Sequence, residues 1–85
     1  MDQVVVYTTE PCGFCRTAKT LLDARGIAYR EINLSKDPAG RAELVERTGM
    51  MTFPQIVIDD KPLGGFQELM KADGLGLLKP LQAAA

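Results

Sequence analysis

Short apolar runs alternate with stretches of helical periodicity along this chain of 85 residues. Residues 3–7 are rich in valine, and residues 55–58 form a second apolar run, so both are typical of buried strands. Residues 27–33 alternate apolar and polar side chains, although imperfectly, and predict another strand. A turn at Asp59-Asp60 separates the run 55–58 from residues 61–63, which predict a short fourth strand.

Three stretches between and after these strands have apolar residues at helical spacing. Residues 13–25 predict an amphipathic helix that stops at Gly26. Residues 38–48 follow Asp37, a good N-cap, and begin with proline, which suits the first helical position. Residues 66–72 begin a last helix, which the pattern allows to restart after one of the later glycines.

The order strand, helix, strand, helix, strand, strand, helix predicts one α/β domain covering residues 1–85. The strand–helix–strand opening implies two parallel strands joined by a right-handed crossover. The later strand–turn–strand piece adds an antiparallel hairpin. We therefore expect a four-stranded mixed sheet flanked by helices.

Charge and hydropathy exclude several classes of function. The net charge is −1 and the Lys and Arg residues are scattered, so no basic stripe indicates nucleic-acid binding. No apolar run approaches the roughly 20 residues that a membrane span needs. The opening residues have no basic segment leading into an apolar stretch, so we expect no secretory signal and a cytoplasmic location. We also expect a monomer.

Two cysteines, Cys12 and Cys15, carry the most informative chemistry in the chain. They enclose Gly13-Phe14, follow the first strand and open the first helix, as in a thiol–disulfide redox site. The chain has no histidine, which excludes Cys-His pairs and His-ligated metals within it. In a reducing compartment such a pair is more often catalytic or metal-binding than a structural disulfide.

The spacing of the two cysteines assigns them different roles. On the first helical turn their Cα atoms would lie roughly 5–6 Å apart, within disulfide range. Cys12 precedes or caps the helix and is the expected low-pKa nucleophile, whereas Cys15 is on the inward face and is the expected resolving thiol. Two ordinary buried cysteines are the alternative interpretation. Zinc would require ligands from a second chain, so we expect no metal site.

Two further motifs permit more than one interpretation. Pro54 stands directly before a strand, where a trans proline is tolerated; a cis bond, found in about 5–6% of X–Pro bonds, would instead hold a bend facing the thiols. Gly64-Gly65 precedes the last helix, where backbone N–H groups could receive a carboxylate. A flexible turn explains the same two glycines.

Together these motifs resemble the small bacterial glutaredoxins over nearly the whole chain. The matching segments, in the family's order and spacing, are Val4-Val5-Val6-Tyr7-Thr8, Cys12-Gly13-Phe14-Cys15, Thr52-Phe53-Pro54-Gln55 and Leu63-Gly64-Gly65-Phe66. The resemblance implies a thioredoxin-like fold of order βαβαββα, with Pro54 cis. It also implies a glutathione-dependent oxidoreductase that reduces protein disulfides and protein–glutathione mixed disulfides.

The resemblance also implies residue roles. Cys12 is the nucleophile that forms the mixed disulfide with glutathione, and Cys15 resolves it. Phe14 matches the aromatic position beside the glutathione sulfur. The backbone at Thr52 and Phe53 would bond the glutathione cysteine, and residues 65–67 would receive the γ-glutamyl end. The full implied contact set is Thr9, Cys12, Phe14, Thr52, Phe53, Pro54, Gly65, Phe66 and Gln67.

Some positions depart from the family pattern and leave alternatives open. Thr9 and the pair Met50-Met51 stand where the family commonly has basic residues, and Gln67-Glu68 replaces an Asp pair. Losing a cation removes a charge-assisted hydrogen bond worth about 1.5–3 kcal/mol when it is not exposed. A redoxin recharged by a flavin-dependent thioredoxin reductase is therefore one alternative. A dimer holding a [2Fe–2S] cluster and a redox-inert interaction module are the others.

Overall fold

The computed structural model describes residues 3–82, and its elements follow the predicted order. The predicted domain also takes in residues 1–2 and 83–85, which lie outside the described residues. The elements are β1 (Val4–Thr8), α1 (Gly13–Ala24), β2 (Arg30–Asn33), α2 (Pro38–Thr48), β3 (Gln55–Ile58), β4 (Lys61–Gly64), α3 (Phe66–Gly74) and a short 3₁₀ helix (Lys79–Leu81).

The four strands form one mixed sheet in the order β2-β1-β3-β4. β1 pairs in parallel with β2, and β3 runs antiparallel to both β1 and β4. The central position of β1 has a direct consequence for the site. Its carboxyl end at Thr8 leads through residues 9–12 into α1, so the cysteines lie at one end of the central strand.

The core lies on the face of the sheet shared by α1 and α3. Alternate residues of β1 are buried, as expected when successive side chains point to opposite faces. Because opposite residues of paired strands share a face, Val6 and its partner Ile56 both enter this core. The buried cluster consists of Val4, Val6, Ala18, Leu22, Ile27, Ile56, Leu69, Ala72 and Leu78.

Local signals in the sequence set the ends of α2. The Asp37 carboxylate accepts the Gly40 N–H at 2.9 Å, and Pro38 occupies the first helical turn. The helix ends at Gly49, which has a left-handed φ of +73° and donates its N–H to the Val45 carbonyl at 2.7 Å. The predicted bounds of this helix are confirmed at both ends.

The turn between β3 and β4 is the two-residue turn that the sequence predicts. Asp59 and Asp60 have φ values of +51° and +66°. Positive φ at both central residues fits the right-handed twist of a hairpin, and aspartate tolerates it better than most residues.

The structure corrects several predicted boundaries. The second strand covers only Arg30–Asn33 and not 27–33, because Ile27 leaves the alternation to enter the core and pairs with Gln82 in an isolated bridge. The last helix continues past residue 72 to Gly74, and up to residue 82 no further α-helix follows it, but a short 3₁₀ turn does. β1 is shifted by one residue from its predicted bounds, α1 ends one residue earlier and β4 ends one residue later, whereas β3 has the predicted bounds.

Candidate functional site

The two cysteines lie at the first turn of α1 and form a disulfide. Their Cα atoms are 5.3 Å apart, within the predicted interval. Cys12 is the N-cap residue with extended backbone, and its Sγ accepts the Cys15 N–H at 3.0 Å. Cys12 is partly exposed, whereas Cys15 is 3% exposed, so only the first sulfur is open to a large partner.

The position of Cys12 favours an anionic sulfur. The first N–H groups of a helix have no partners within the helix, and the dipole places partial positive charge there. Cys12 Sγ already accepts one of these N–H groups. The same position that caps the helix therefore stabilises a thiolate, the form that attacks disulfides.

The loop between α2 and β3 approaches Cys12. The Phe53 carbonyl oxygen lies 3.8 Å from Cys12 Sγ, and the Phe53–Pro54 peptide bond is cis. The low frequency of cis X–Pro bonds favours a trans bond before Pro54, whereas the family resemblance implies a cis bond. The structure agrees with the resemblance. The loop thus presents backbone polar groups beside the reactive sulfur.

Gln55 holds this loop in place, a role that its local sequence does not predict. Its side chain is buried and fully paired: the amide group donates to the Met50 carbonyl at 2.9 Å and the Thr52 carbonyl at 3.0 Å. Its oxygen accepts the Thr48 hydroxyl at 2.8 Å. A polar residue beginning an otherwise apolar strand was the available signal, because a buried amide requires partners.

An apolar groove of about 500 Å³ lies on one side of Cys12. Phe14 and Phe66 stack across it with ring centroids 5.4 Å apart, and Phe14 remains 64% exposed. The groove brings together most of the contact residues that the resemblance implies. Its lining consists of Phe14, Met50, Thr52, Phe53, Pro54, Gly65, Phe66, Gln67 and Glu68.

Glu68 closes part of the predicted anion site at the start of α3. Its carboxylate accepts the Gly65 N–H at 2.7 Å, which completes the N-terminal cap of the helix. The Gly65 N–H is therefore already bonded within the chain. The N–H groups of Phe66 and Gln67, in the first turn, have no partners within the helix.

A second, polar cavity of about 550 Å³ lies on the other side of Cys12. Thr9 is found here with Cys12 and not in the apolar groove, so the structure separates it from the seven residues of the implied contact set that line the groove. The lining of this polar cavity consists of Thr8, Thr9, Glu10, Pro11, Cys12, Gly13, Cys15, Arg16, Lys19, Glu31 and Asn33.

A small polar network lines this polar cavity and was also missed by sequence reasoning. The buried Thr8 hydroxyl donates to Glu31 at 2.8 Å, and Lys19 lies 3.1 Å from the same carboxylate. The Thr8 hydrogen bond lowers the pKa of Glu31, with Lys19 adding to the effect and burial opposing it. Only tertiary structure brings these three elements together, so no sequence pattern signals the network.

The described part of the chain also lacks the features of two other classes of site. Within residues 3–82, no three or more His, Cys, Asp or Glu side chains are grouped so as to hold a metal ion. No helix in the same span has the length and apolar character needed to cross a membrane.

Comparison with known sequences identifies one family. The glutaredoxin family model matches residues 4–63. Glutaredoxin 3 of Escherichia coli strain K12 is 40% identical over 81 residues, which cover 95% of this chain and 98% of the relative. The segment matched by the family model contains both cysteines and Pro54.

Solved structures give the same result for the fold. A buckwheat glutaredoxin–glutathione complex has a TM-score of 0.85 at 32% identity, covering 94% of this chain and 76% of that one. The solution structure of a Brucella melitensis glutaredoxin has a TM-score of 0.81 at 40% identity, with coverages of 93% and 86%. The predicted thioredoxin-like fold is thereby confirmed.

Proposed function

The chain belongs to the glutaredoxin family of thiol–disulfide oxidoreductases, and from that premise we propose that it reduces protein disulfides and protein–glutathione mixed disulfides, with glutathione as electron donor. The observation that carries the proposal is the Cys12–Cys15 pair at the start of α1. One sulfur is accessible and held by a helix N–H, and the other is buried within bonding distance of it.

The proposed reaction begins with Cys12. Its thiolate attacks one sulfur of the substrate disulfide, and the other sulfur leaves as a thiolate. Cys15 then attacks Cys12 Sγ, which releases the reduced substrate thiol and closes the Cys12–Cys15 disulfide. Two electrons pass from the protein dithiol to the substrate. Two glutathione molecules restore the dithiol and leave as glutathione disulfide.

For a substrate that already carries glutathione, Cys12 alone is sufficient. It takes glutathione onto its own sulfur, and a second glutathione resolves this mixed disulfide. The buckwheat relative has been solved as a glutathione complex, which supports glutathione as the ligand here. We place the cysteine of glutathione beside the Thr52-Phe53 backbone, and the γ-glutamyl carboxylate of glutathione at the open N–H groups of Phe66 and Gln67.

A flavin-dependent disulfide reductase is the second candidate for electron donor. Two observations favour it: no Lys or Arg lines the apolar groove, and the Gly65 N–H is bonded to Glu68. A lower affinity for glutathione would slow the reduction of the Cys12–Cys15 disulfide by glutathione without affecting the attack of Cys12 on a substrate disulfide. We also propose that the chain acts as a monomer in the cytoplasm, since one chain supplies both thiols and a reducing compartment keeps them reduced.

The test is reduction of a glutathione mixed disulfide coupled to glutathione, glutathione reductase and NADPH. We expect turnover that vanishes in Cys12→Ser. Cys15→Ser should lose protein-disulfide reduction while retaining deglutathionylation. Ala24→Ser, exposed on the same helix, is the matched control and should keep both activities.

The coupled assay also separates the two electron donors. Turnover with thioredoxin reductase but not with glutathione would show that the electron donor is a flavin-dependent reductase and not glutathione. Full protein-disulfide reduction by Cys15→Ser would contradict the resolving role of Cys15. Activity that survives in Cys12→Ser would overturn the mechanism.

A further inference from the structure

The reduced Cys12–Cys15 pair offers two soft sulfur ligands on one helical turn. The Cα atoms of the two residues are 5.3 Å apart, and their side chains can reach each other, as the disulfide shows. Thiolates are the ligands that select Cu(I), zinc and iron–sulfur clusters, whereas carboxylates and carbonyls suit the harder cations. The reduced pair is therefore a chelating dithiol, and the number of further ligands nearby decides which metal it suits.

The described part of the chain provides no further ligands for a larger coordination shell. The chain has no histidine and no third cysteine, and residues 3–82 hold no group of three or more His, Cys, Asp or Glu side chains that could bind a metal ion. The Glu31 carboxylate in the polar cavity already accepts hydrogen bonds from Thr8 and Lys19. Zinc and [2Fe–2S] clusters need four ligands and find two here, whereas Cu(I) forms stable complexes with two thiolates.

The start of α1 suits the charge of such a complex. Two thiolates and one Cu(I) ion carry a net charge of −1, and Cys12 Sγ already accepts the Cys15 N–H at 3.0 Å. The partial positive charge at the N-terminus of a helix stabilises an anionic group placed there. The side-chain charges of the polar cavity cancel in sign: Arg16, Lys19, Glu10 and Glu31. The helix start therefore supplies the stabilisation.

The polar cavity gives a small ion a route to both sulfurs. Cys15 is 3% exposed, so a large partner reaches only Cys12. Both cysteines nevertheless line the polar cavity of about 550 Å³, whereas neither of them lines the apolar groove. An ion that enters through the polar cavity thus meets the second sulfur, which a protein substrate cannot touch directly.

We propose that the reduced chain binds one Cu(I) ion through the Cys12 and Cys15 thiolates, as a carrier that takes the ion from small thiols and returns it to them. Each thiol loses a proton to solvent when the ion binds, and the copper keeps its oxidation state, so no electron is transferred. Copper binding goes beyond the proposed reductase activity. It blocks that activity while the ion is bound, because both functions need the same two sulfurs.

Oxidation of the pair releases the ion. A substrate disulfide accepts two electrons from the two coordinated sulfurs, which join as the Cys12–Cys15 disulfide. The two substrate sulfurs leave as thiolates, and Cu(I) departs with its charge unchanged. Since only thiolates bind the metal, the chain carries copper in its reduced form alone.

Competition for Cu(I) between the chain and glutathione tests the proposal. The prereduced full chain is mixed with one equivalent of Cu(I) in the absence of oxygen, and bicinchoninate reports the ion that stays available. A second thiolate on the same helical turn acts at an effective concentration above the mM range of a flexible linker, so we expect one Cu(I) per chain even with about 1 mM glutathione present. Native mass spectrometry gives the composition of the complex.

Variants separate the pair from its single thiols. Cys12→Ser and Cys15→Ser should each weaken Cu(I) binding by more than about 100-fold, because losing a ligand exceeds the roughly 10–100-fold cost of losing an outer partner. Cys15→Ser/Ala24→Cys is the matched control, since it keeps two thiols but places them about 18 Å apart along α1, and it should not recover binding. The wild-type disulfide form, which needs no substitution, should bind no copper.

Four results would overturn the copper site. They are loss of most of the Cu(I) to glutathione, recovery of binding in Cys15→Ser/Ala24→Cys, a complex with two chains per ion, and Zn²⁺ binding as tight as that of Cu(I). Turnover of a glutathione mixed disulfide is measured on the same preparation. Turnover without copper retention overturns only the copper site, whereas copper retention without turnover overturns only the proposed function.

Discussion

Replacing Gly64 with alanine should destabilise the junction between β4 and α3. Gly64 is buried at the end of β4 and has a φ of +133°, a conformation that residues with a Cβ rarely adopt. A Cβ at this position would lie 2.6 Å from Cγ and 2.7 Å from Oε1 of Glu68. The Glu68 side chain would have to move, and it is the one that caps α3 through the Gly65 N–H.

Two contributions set the size of this effect. Holding alanine at this φ costs about 1–3 kcal/mol, and losing the cap costs about 1 kcal/mol. The free energy of unfolding should therefore fall by about 2–4 kcal/mol. For a domain of this size the midpoint of thermal unfolding should fall by roughly 10–25 °C. Since α3 carries Phe66 into the apolar groove, kcat/KM for disulfide substrates should fall too.

Urea and thermal denaturation monitored by circular dichroism measure the effect. Gly74→Ala is the matched control, because a Cβ there meets no atom within 4 Å and its φ is not positive; it should be neutral or stabilising by about 0.5–1 kcal/mol. In a Glu68→Ala background the cap and the contacts with Cγ and Oε1 are already absent, although a Cβ at position 64 would still lie 2.8 Å from the Cβ of residue 68. Gly64→Ala should then cost about 1 kcal/mol less than in the wild type, because there is no cap left to lose.

Two results would refute this reasoning. A loss below about 0.5 kcal/mol for Gly64→Ala would show that the backbone accepts a Cβ without strain. Equal losses with and without Glu68 would show that the side chain moves aside without giving up its cap.

Three further predictions concern the loop support, the polar network and the core. Gln55→Leu removes the donor for the Met50 and Thr52 carbonyls and should lower the free energy of unfolding by about 2–4 kcal/mol. It should also raise KM for disulfide substrates, and an unchanged KM would contradict the role of Gln55 in holding the loop. Glu31→Gln should cost at most about 1 kcal/mol at neutral pH, because the carboxylate is partly exposed. The pKa of Glu31 in the folded protein lies below its ordinary value of 4.5. The stability difference between the wild type and Glu31→Gln should therefore be fully present above pH 4.5 and disappear as the pH falls through the lowered pKa. A stability difference that persists in acid would argue against an electrostatic cause. Leu69→Ala, at a fully buried core position, should cost about 2–5 kcal/mol in urea denaturation, against less than about 0.5 kcal/mol for the exposed Leu75→Ala, and similar values for the two would place the core elsewhere.

Most of the secondary structure was predictable from local signals. The bounds of α2 follow from Asp37, Pro38 and Gly49, because capping acts over a few neighbouring residues. The spacing of Cys12 and Cys15 on a helical turn likewise fixes their separation before any other part of the fold is known. Both outcomes depend on short-range geometry, so a single sequence contains them.

Tertiary contacts decided the remainder. Ile27 leaves the predicted strand because the core offers it more burial than the sheet edge does. Gln55 and Glu31 gain their roles from partners that other segments bring to them, and no local pattern encodes those partners. The sequence by itself thus determined the elements and the reactive thiols, whose physics is local. Only the folded chain decided which polar groups are paired and which surfaces stay open beside Cys12, since both depend on residues far apart in the chain.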